Sequence, residues 1–329
     1  MKQVSSVWGR AALAALAFGA CASAANAQGY PDHAITLVVP FPPGGTTDIS
    51  GRAIAHAMEA TLKQSIIVEN RAGAGGNIGV GFVARSKPDG YTIVLGTIGT
   101  QTINASLYDN MPYDAEKDFV PIALVSSTPN VLAVNAGSKM KTLADVIAAA
   151  HASKGNKLSY ATPGVGTSVH LTGAYFEKAA GIELLHVPFK GATASIPAVA
   201  GGQVDLLLDN LPSALAQIKD GSRIRGIAVT SAQRSPSLPD LPTFAEAGLP
   251  GLDITAWFAL YAPRGTPQPV VARLIEAARE GLKSPAMIAT LASTGATPGT
   301  LFGPDLSAFE KTERVRWSSL VKERNITAQ

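Results

Sequence analysis

Two turns in this sequence are stripped of side chains and followed at once by hydroxyl residues. The first is Pro40-Phe41-Pro42-Pro43-Gly44-Gly45-Thr46-Thr47-Asp48, and the second Thr162-Pro163-Gly164-Val165-Gly166-Thr167-Ser168-Val169-His170. Each follows an apolar strand pattern, Thr36 to Val39 and Lys157 to Ala161, and each opens a helix. Prolines stiffen the first turn, and glycines bare the main-chain nitrogens of both. A helix start leaves its first N–H groups unpaired and carries partial positive charge, so such a turn is a seat for an anion. The alternative is a rigid strand-to-helix turn with no ligand. Two such turns facing each other across a cleft would grip a negative group from both sides.

Other residues with chemical potential are sparse. His170, one turn into its helix, is either packed against its own lobe or a ligand contact. His33, His56, His151 and His186 show no metal-ligand spacing. Asp48 either stabilises its own helix N-terminus or receives a ligand group. For Asp209-Asn210 the same choice stands: a local role, or a carboxylate that takes a ligand hydroxyl or ammonium. Arg71-Ala72-Gly73-Ala74-Gly75-Gly76-Asn77-Ile78-Gly79 fails as a dinucleotide fingerprint, because the third glycine position holds Ile78; it reads as a tight turn before a closely packed helix. No P-loop lysine and no Gly-x-Ser-x-Gly elbow occurs. Catalysis has little to work with, and no cofactor motif is present.

These turns need α/β lobes to hold them. The chain has 329 residues, 46% hydrophobic and 16% charged, enough for two cores. Strand and helix signals alternate along most of it, which argues for parallel sheets covered by helices. Strands are expected at Pro121 to Val125 and Asn130 to Val134, separated by Ser126-Ser127-Thr128-Pro129. Helices are expected at Ser168 to Ala180, Ala192 to Ala200 and Pro212 to Lys219. Three more, Pro269 to Leu282, Pro285 to Ser293 and Pro304 to Arg324, form a tail. The expected division is a first lobe of residues 28–126 plus 230–329 and a second of 127–229, with two chain crossings near Ser126 to Asn130 and near Thr230.

Met1 to Ala27 reads as a secretory signal peptide: Lys2 and Arg10 at the start, an apolar centre, and Ala25-Asn26-Ala27 as the cleavage site. The only cysteine, Cys21, lies inside it. A lipid-anchored cysteine is the alternative there, and the site at Ala25 to Ala27 accounts better for the sequence. Without Lys2 and Arg10 the basic residues number 25 against 24 acidic, with no basic run, so nucleic acid is not an expected partner.

Taken together the blocks resemble the Bug (TctC-type) extracytoplasmic solute receptors, the substrate-binding proteins of tripartite tricarboxylate transporters. The likeness rests on VVPFPPGGTTD (Val38 to Asp48), ENRAGAGGNIG (Glu69 to Gly79), PDGYTIVLG (Pro88 to Gly96), LYDNMPYDAEKDFVPIALV (Leu107 to Val125), YATPGVGTSVHLTG (Tyr160 to Gly173), HVPFKG (His186 to Gly191), GGQVDLLLDN (Gly201 to Asn210) and PTFAEAGLPG (Pro242 to Gly251). The resemblance implies a two-lobed periplasmic binding protein of the type II class, each lobe a mostly parallel sheet flanked by helices, with two crossover segments at the hinge. It also implies a monomeric receptor without enzymatic activity, which closes on a small organic acid and delivers it to membrane subunits of such a transporter. Carried over, it places Phe41, Gly44, Gly45, Thr46, Thr47 and Asp48 on one side of the ligand. On the other it places Thr162, Gly164, Gly166, Thr167, Ser168 and His170. Thr97, Thr100, Gln101 and Asp209 fall at the ligand's distal end. Where the family often has alanine this chain has Gly51. A secreted hydrolase or transferase on the same scaffold, and a receptor that reports to a sensor kinase, are the competing readings.

Overall fold

The computed structural model describes residues 29–153, 155–324 and 326. The expected signal peptide, Met1 to Ala27, lies outside the described residues. The first apolar run forms β1 (Ile35–Val39), with β2 (Ile66–Asn70) and β3 (Thr92–Thr97) parallel on either side. Between β1 and β2 runs α1 (Thr46–Leu62), whose Ile54, Ala55, Met58 and Leu62 are buried. Gly51 allows this helix to lie on the sheet, because a Cβ there would stand 2.7 Å from Val39 Cγ2. A short helix, α2 (Asn77–Ala84), precedes β3, and a π-turn at Gly99–Ile103 leads from β3 into the single turn α3 (Asn104–Leu107).

The long strand β4 (Phe119–Asn135) corrects one expectation: Ser126 to Pro129 does not interrupt it. Turn-forming residue types predicted a break, but tertiary pairing decides the matter. Ser126 to Pro129 pair in register with Phe258 to Thr255 of β9 (Thr255–Pro263), and Ser126 and Thr128 are buried. Ser126 Oγ meets Ser50 Oγ at 3.0 Å, and Thr128 Oγ1 donates to Gly295 O at 3.3 Å. Pro129, which has no N–H for a ladder, stands where β4 leaves β9 and begins to pair with other strands. From Asn130 onward β4 pairs with β7 (Leu206–Asn210) and β8 (Ile224–Val229). A two-residue strand that the sequence does not signal, Thr297–Pro298, pairs with Ser127 and Ser126.

Beyond β7 the second lobe continues with β5 (Ser159–Thr162) and β6 (Leu185–Pro188), both parallel. The parallel pairings expected of alternating strands and helices are therefore those of the outer strands. Strands β4 and β9, which run through the middle, are antiparallel to their neighbours. The second lobe carries α4 (Leu143–Ala152), α5 (Ser168–Ala180), α6 (Ala192–Ala200) and α7 (Leu211–Asp220). Strand alternation splits β7: Leu206 and Leu208 join the large core, and Leu207 packs with Ile196, Val199, Leu211 and Leu215.

The two chain crossings lie side by side. Asn130 N donates to Thr230 Oγ1 (2.9 Å), Thr230 N to Asn130 O (3.0 Å), and Ile254 N to Thr230 O (3.3 Å). The closing helices, α8 (Gln268–Lys283), α9 (Pro285–Ser293) and α10 (Pro304–Arg324), return to the first lobe. Gly281 of α8 sits against Ala57 of α1. On α10, Glu313 accepts the indole N–H of both Trp257 (3.0 Å) and Trp317 (2.9 Å), and Arg314 Nε donates to Gln101 O (3.2 Å).

Candidate functional site

The first turn is held from behind. Gly44 adopts φ +82°, and its N–H donates to Asp48 Oδ2 at 3.0 Å. The same oxygen accepts Arg52 Nε (3.0 Å), while Oδ1 accepts Asn70 Nδ2 (2.9 Å). Burial alone would raise the Asp48 pKa. The bonds from Arg52, the Gly44 amide and Asn70 outweigh it and hold the carboxyl below its usual range. Asn70 Nδ2 also donates to Phe41 O at 3.0 Å, which fixes the proline-rich segment. Asp48 is thus committed to the turn and the start of its own helix.

The second turn is capped by Thr167, whose hydroxyl donates to Gly164 O (2.7 Å) and accepts His170 N (3.3 Å). Behind it lies a stack of rings. His170 and His186 are 4.4 Å apart and inclined by 16°; Tyr160 follows at 4.8 Å from His186. His186 Nε2 and Thr162 Oγ1 are 2.7 Å apart, and Gly166 N points at His170 Nδ1 at 3.5 Å. Burial pushes His170 down to about 4; burial, with the charge of His170, pushes His186 down to about 3. Both rings are neutral at pH 7.

Between the turns is a cavity with about 480 Å³ of empty space, part of it open to solvent. Its wall contains Phe41, Gly45, Thr46, Thr47, Thr97, Thr167, Ser168 and Asp209, all expected from the sequence. It also contains Gly191 and Ala192 at the start of α6, and Asn210 at the start of α7. Four helix N-termini, those of α1, α5, α6 and α7, therefore converge on one space. Among the described residues no lysine, arginine or histidine lines it, and Asp209 is the one ionisable residue of its wall.

Several expected residues stand back from this wall. Gly44 and Asp48 form the support just described. Thr100 Oγ1 accepts Thr97 N at 2.9 Å, and the fully buried Gln101 lies beside Gly96 and Tyr261. Thr162 and His170 belong to the ring stack. Gly164 lines a neighbouring groove with Ala72 to Gly76, Tyr108 and Lys190, which shares Phe41, Pro42, Pro163 and Gly191 with the cavity. Gly166 (φ +81°) is pressed onto the other lobe: a Cβ there would fall 2.3 Å from Asn104 Oδ1. Likewise a Cβ on Gly75 would fall 2.7 Å from Val165 O, and one on Gly99 2.5 Å from Gly166 O. The glycines of the second turn thus serve the close approach of the two lobes as much as any ligand.

The sequence reading missed Asn70, Ser213 and the α6 start. Gly191-Ala192 had a visible signal, a glycine before a helix pattern; Ser213, inside an ordinary helix pattern, had none.

This geometry offers main-chain N–H groups and hydroxyls. Among the described residues no group of acidic, histidine or cysteine side chains could hold a metal. It can bind an anion and hold it. The family model described as "Tripartite tricarboxylate transporter family receptor" matches residues 51–326. The chain belongs to this family. It is 34% identical over 309 residues to protein BugT of Bordetella pertussis, with 94% of each chain covered. An R. palustris protein solved with adipate superposes with a TM-score of 0.86 at 36% identity, covering 91% of this chain and 99% of that one. MatC of Rhodopseudomonas palustris with bound malate does so with a TM-score of 0.83 at 33% identity, over 89% and 100%. The receptor family and its solved members are solute-binding proteins, not enzymes, and this chain is a solute-binding receptor. Among the described residues no helix is long and apolar enough to cross a membrane.

Proposed function

We propose that the receptor captures a small organic carboxylate in the cavity between its lobes and delivers it to the membrane subunits of a tripartite tricarboxylate-type transporter. The observation that carries this reading is the convergence of four helix N-termini on a space that no basic side chain lines among the described residues. Each terminus contributes about 0.3–1 kcal/mol to holding an anion, and up to ~2 when partly buried. The carboxylate sits between Gly45-Thr46-Thr47 and Thr167-Ser168, with Thr97 and Asp209 towards its other end. The adipate and malate named for the two solved relatives support the carboxylate class.

In this reading residues 28–126 with 230–329 form one lobe and 127–229 the other, hinged where Asn130 meets Thr230. The protein is exported by Met1 to Ala27, acts in the periplasm as a monomer, and presents its closed face to the membrane subunits. Only a ligand that favours the closed arrangement can shift the lobes towards it. Native mass spectrometry of protein purified without refolding tests the reading, because a trapped acid reports its own mass. Absence of any bound acid, together with no heat on titration of a carboxylic-acid panel, would refute it.

A further inference from the structure

Among the described residues of the cavity wall, Asp209 is the one with a buried side-chain atom that no protein group hydrogen-bonds. It is the last residue but one of β7 and shares the face of Leu207, so the pleat carries it in among α6 and α7, and it is 1% exposed. Its Oδ1 accepts two bonds, from Asn210 N at 2.7 Å and Ser213 Oγ at 2.8 Å. Its Oδ2 is buried and has no hydrogen-bond donor among the described residues. Ser195 of α6 is close enough to favour the ionised form, but its hydroxyl is bonded to Ala192 O at 3.4 Å. A buried carboxylate oxygen that no protein group hydrogen-bonds costs more than a made bond gains.

We infer that Asp209 selects the solute: the ligand carries, beside the carboxylate held at the helix N-termini, a hydroxyl or ammonium group that donates to Asp209 Oδ2. This rests on the receptor reading above and narrows it from carboxylates in general to hydroxy or amino acids. The two ends of the cavity ask for opposite things. The helix starts want negative charge, and Asp209 wants a proton donor. A plain carboxylate reaching Asp209 would set two like charges together in a space without a cation. A donor there completes the carboxylate's hydrogen bonding, and a site built for a donor rejects the analogue that lacks one.

The groups facing Asp209 are Ser213 from α7, the Asn210 amide at the end of β7, Ser195 from α6, and Val131 paired with it on β4. None of them titrates, so the protonation of Asp209 is governed by its burial, which pushes its pKa up to about 7. A ligand donor needs the ionised form, and affinity for such a ligand therefore rises from pH 6 to pH 8.

The test is calorimetric titration of the purified protein at pH 8 with three matched sets: propionate, lactate and alanine; succinate, malate and aspartate; glutarate, 2-hydroxyglutarate and glutamate. The expected result is that, in at least one set, the hydroxy or amino member binds tenfold or more tightly than the unsubstituted acid, and more weakly at pH 6. In Asp209→Asn the Asn210 amide and Ser213 hold the side-chain oxygen at Oδ1, so the amide nitrogen takes the place of Oδ2 and presents a donor. That preference should then vanish or invert. Equal or tighter binding of the unsubstituted acids by the wild-type protein overturns the inference and leaves the carboxylate receptor standing. Tighter binding at pH 6 also overturns it, because it means that Asp209 donates. If none of the nine acids binds, this inference falls, and the carboxylate reading falls with it when native mass spectrometry also finds no bound acid.

Discussion

Thr46 and Ser213, one at the start of α1 and the other at the start of α7, exchange two hydrogen bonds across the cavity. Thr46 Oγ1 donates to Ser213 Oγ and accepts Ser213 N, each at 3.2 Å. The contact ties the lobes together at the point where two helix N-termini face the same space. Like partial charges repel, so this closed arrangement is electrostatically uphill until an anion sits between the helix ends.

Ser213→Ala should therefore weaken ligand binding. It removes one lobe-to-lobe bond and one of the two donors to Asp209 Oδ1. A net loss of about 0.5–1.5 kcal/mol per bond corresponds to a roughly three- to tenfold rise in Kd. Calorimetry measures the affinity, and small-angle scattering of the ligand-bound variant should show a larger radius of gyration than wild type. An unchanged Kd would mean that the contact does not help hold the lobes closed.

The two glycine-rich turns should respond differently to a methyl group. Gly45 has φ −83°, and a Cβ there would meet only Pro42 O at 3.8 Å and Ala192 Cβ at 3.9 Å. Gly166 has φ +81°, and a Cβ would fall 2.3 Å from Asn104 Oδ1 and 3.2 Å from Tyr108. Gly45→Ala should leave affinity within about threefold. Gly166→Ala should weaken it tenfold or more, because the lobes cannot close and the backbone is strained. The double variant Gly166→Ala with Asn104→Gly should recover part of the loss in the same titration.

That contrast shows what was legible in the sequence. Helices α5, α6, α9 and α10 begin and end where the sequence places them, because Thr167, Gly191, Ser284 and Gly303 before them and Gly181 and Gly201 after them are local stop and start chemistry. Strand β4 was not legible through Ser126 to Pro129, because only its pairing with β9 makes that segment extended. In the site, the turns were visible as glycine runs, but which glycine serves a ligand and which serves the other lobe depends on Asn104 and Val165. Those neighbours are distant in sequence and leave no local trace. Asp209 stood out as a carboxylate at a strand end; that one of its oxygens would lack a donor could not be read from β7 alone.

Acid should weaken the second lobe through its histidines. His170 and His186 have folded pKa values near 4 and 3, below the ordinary 6.5. The unfolded chain therefore takes up protons that the folded chain refuses, and stability falls as pH drops from 6.5 towards 4. A variant without one of these rings, His170→Asn, should be less stable than wild type at pH 7, yet should lose less of its Tm between pH 7 and pH 5. Parallel Tm curves would contradict burial as the cause.

Asp209 sets the opposite slope. Its folded pKa of about 7 lies above the ordinary 3.8, so folding takes up a proton between those values. Its contribution is most favourable below pH 3.8 and declines as pH rises to about 7, by up to about 4 kcal/mol on the scale of 1.36 kcal/mol for each tenfold change. Asp209→Asn carries no charge to bury and keeps an oxygen for Asn210 N and Ser213 Oγ. In ligand-free protein the variant should match wild type near pH 4 and exceed its Tm by several degrees at pH 8. A group that costs stability in the empty receptor and is retained in the cavity wall is what a binding site trades for selectivity. If Asp209→Asn were less stable than wild type at pH 8, the carboxylate would be a structural element of the α7 start, and the selectivity assigned to it would lose its energetic basis.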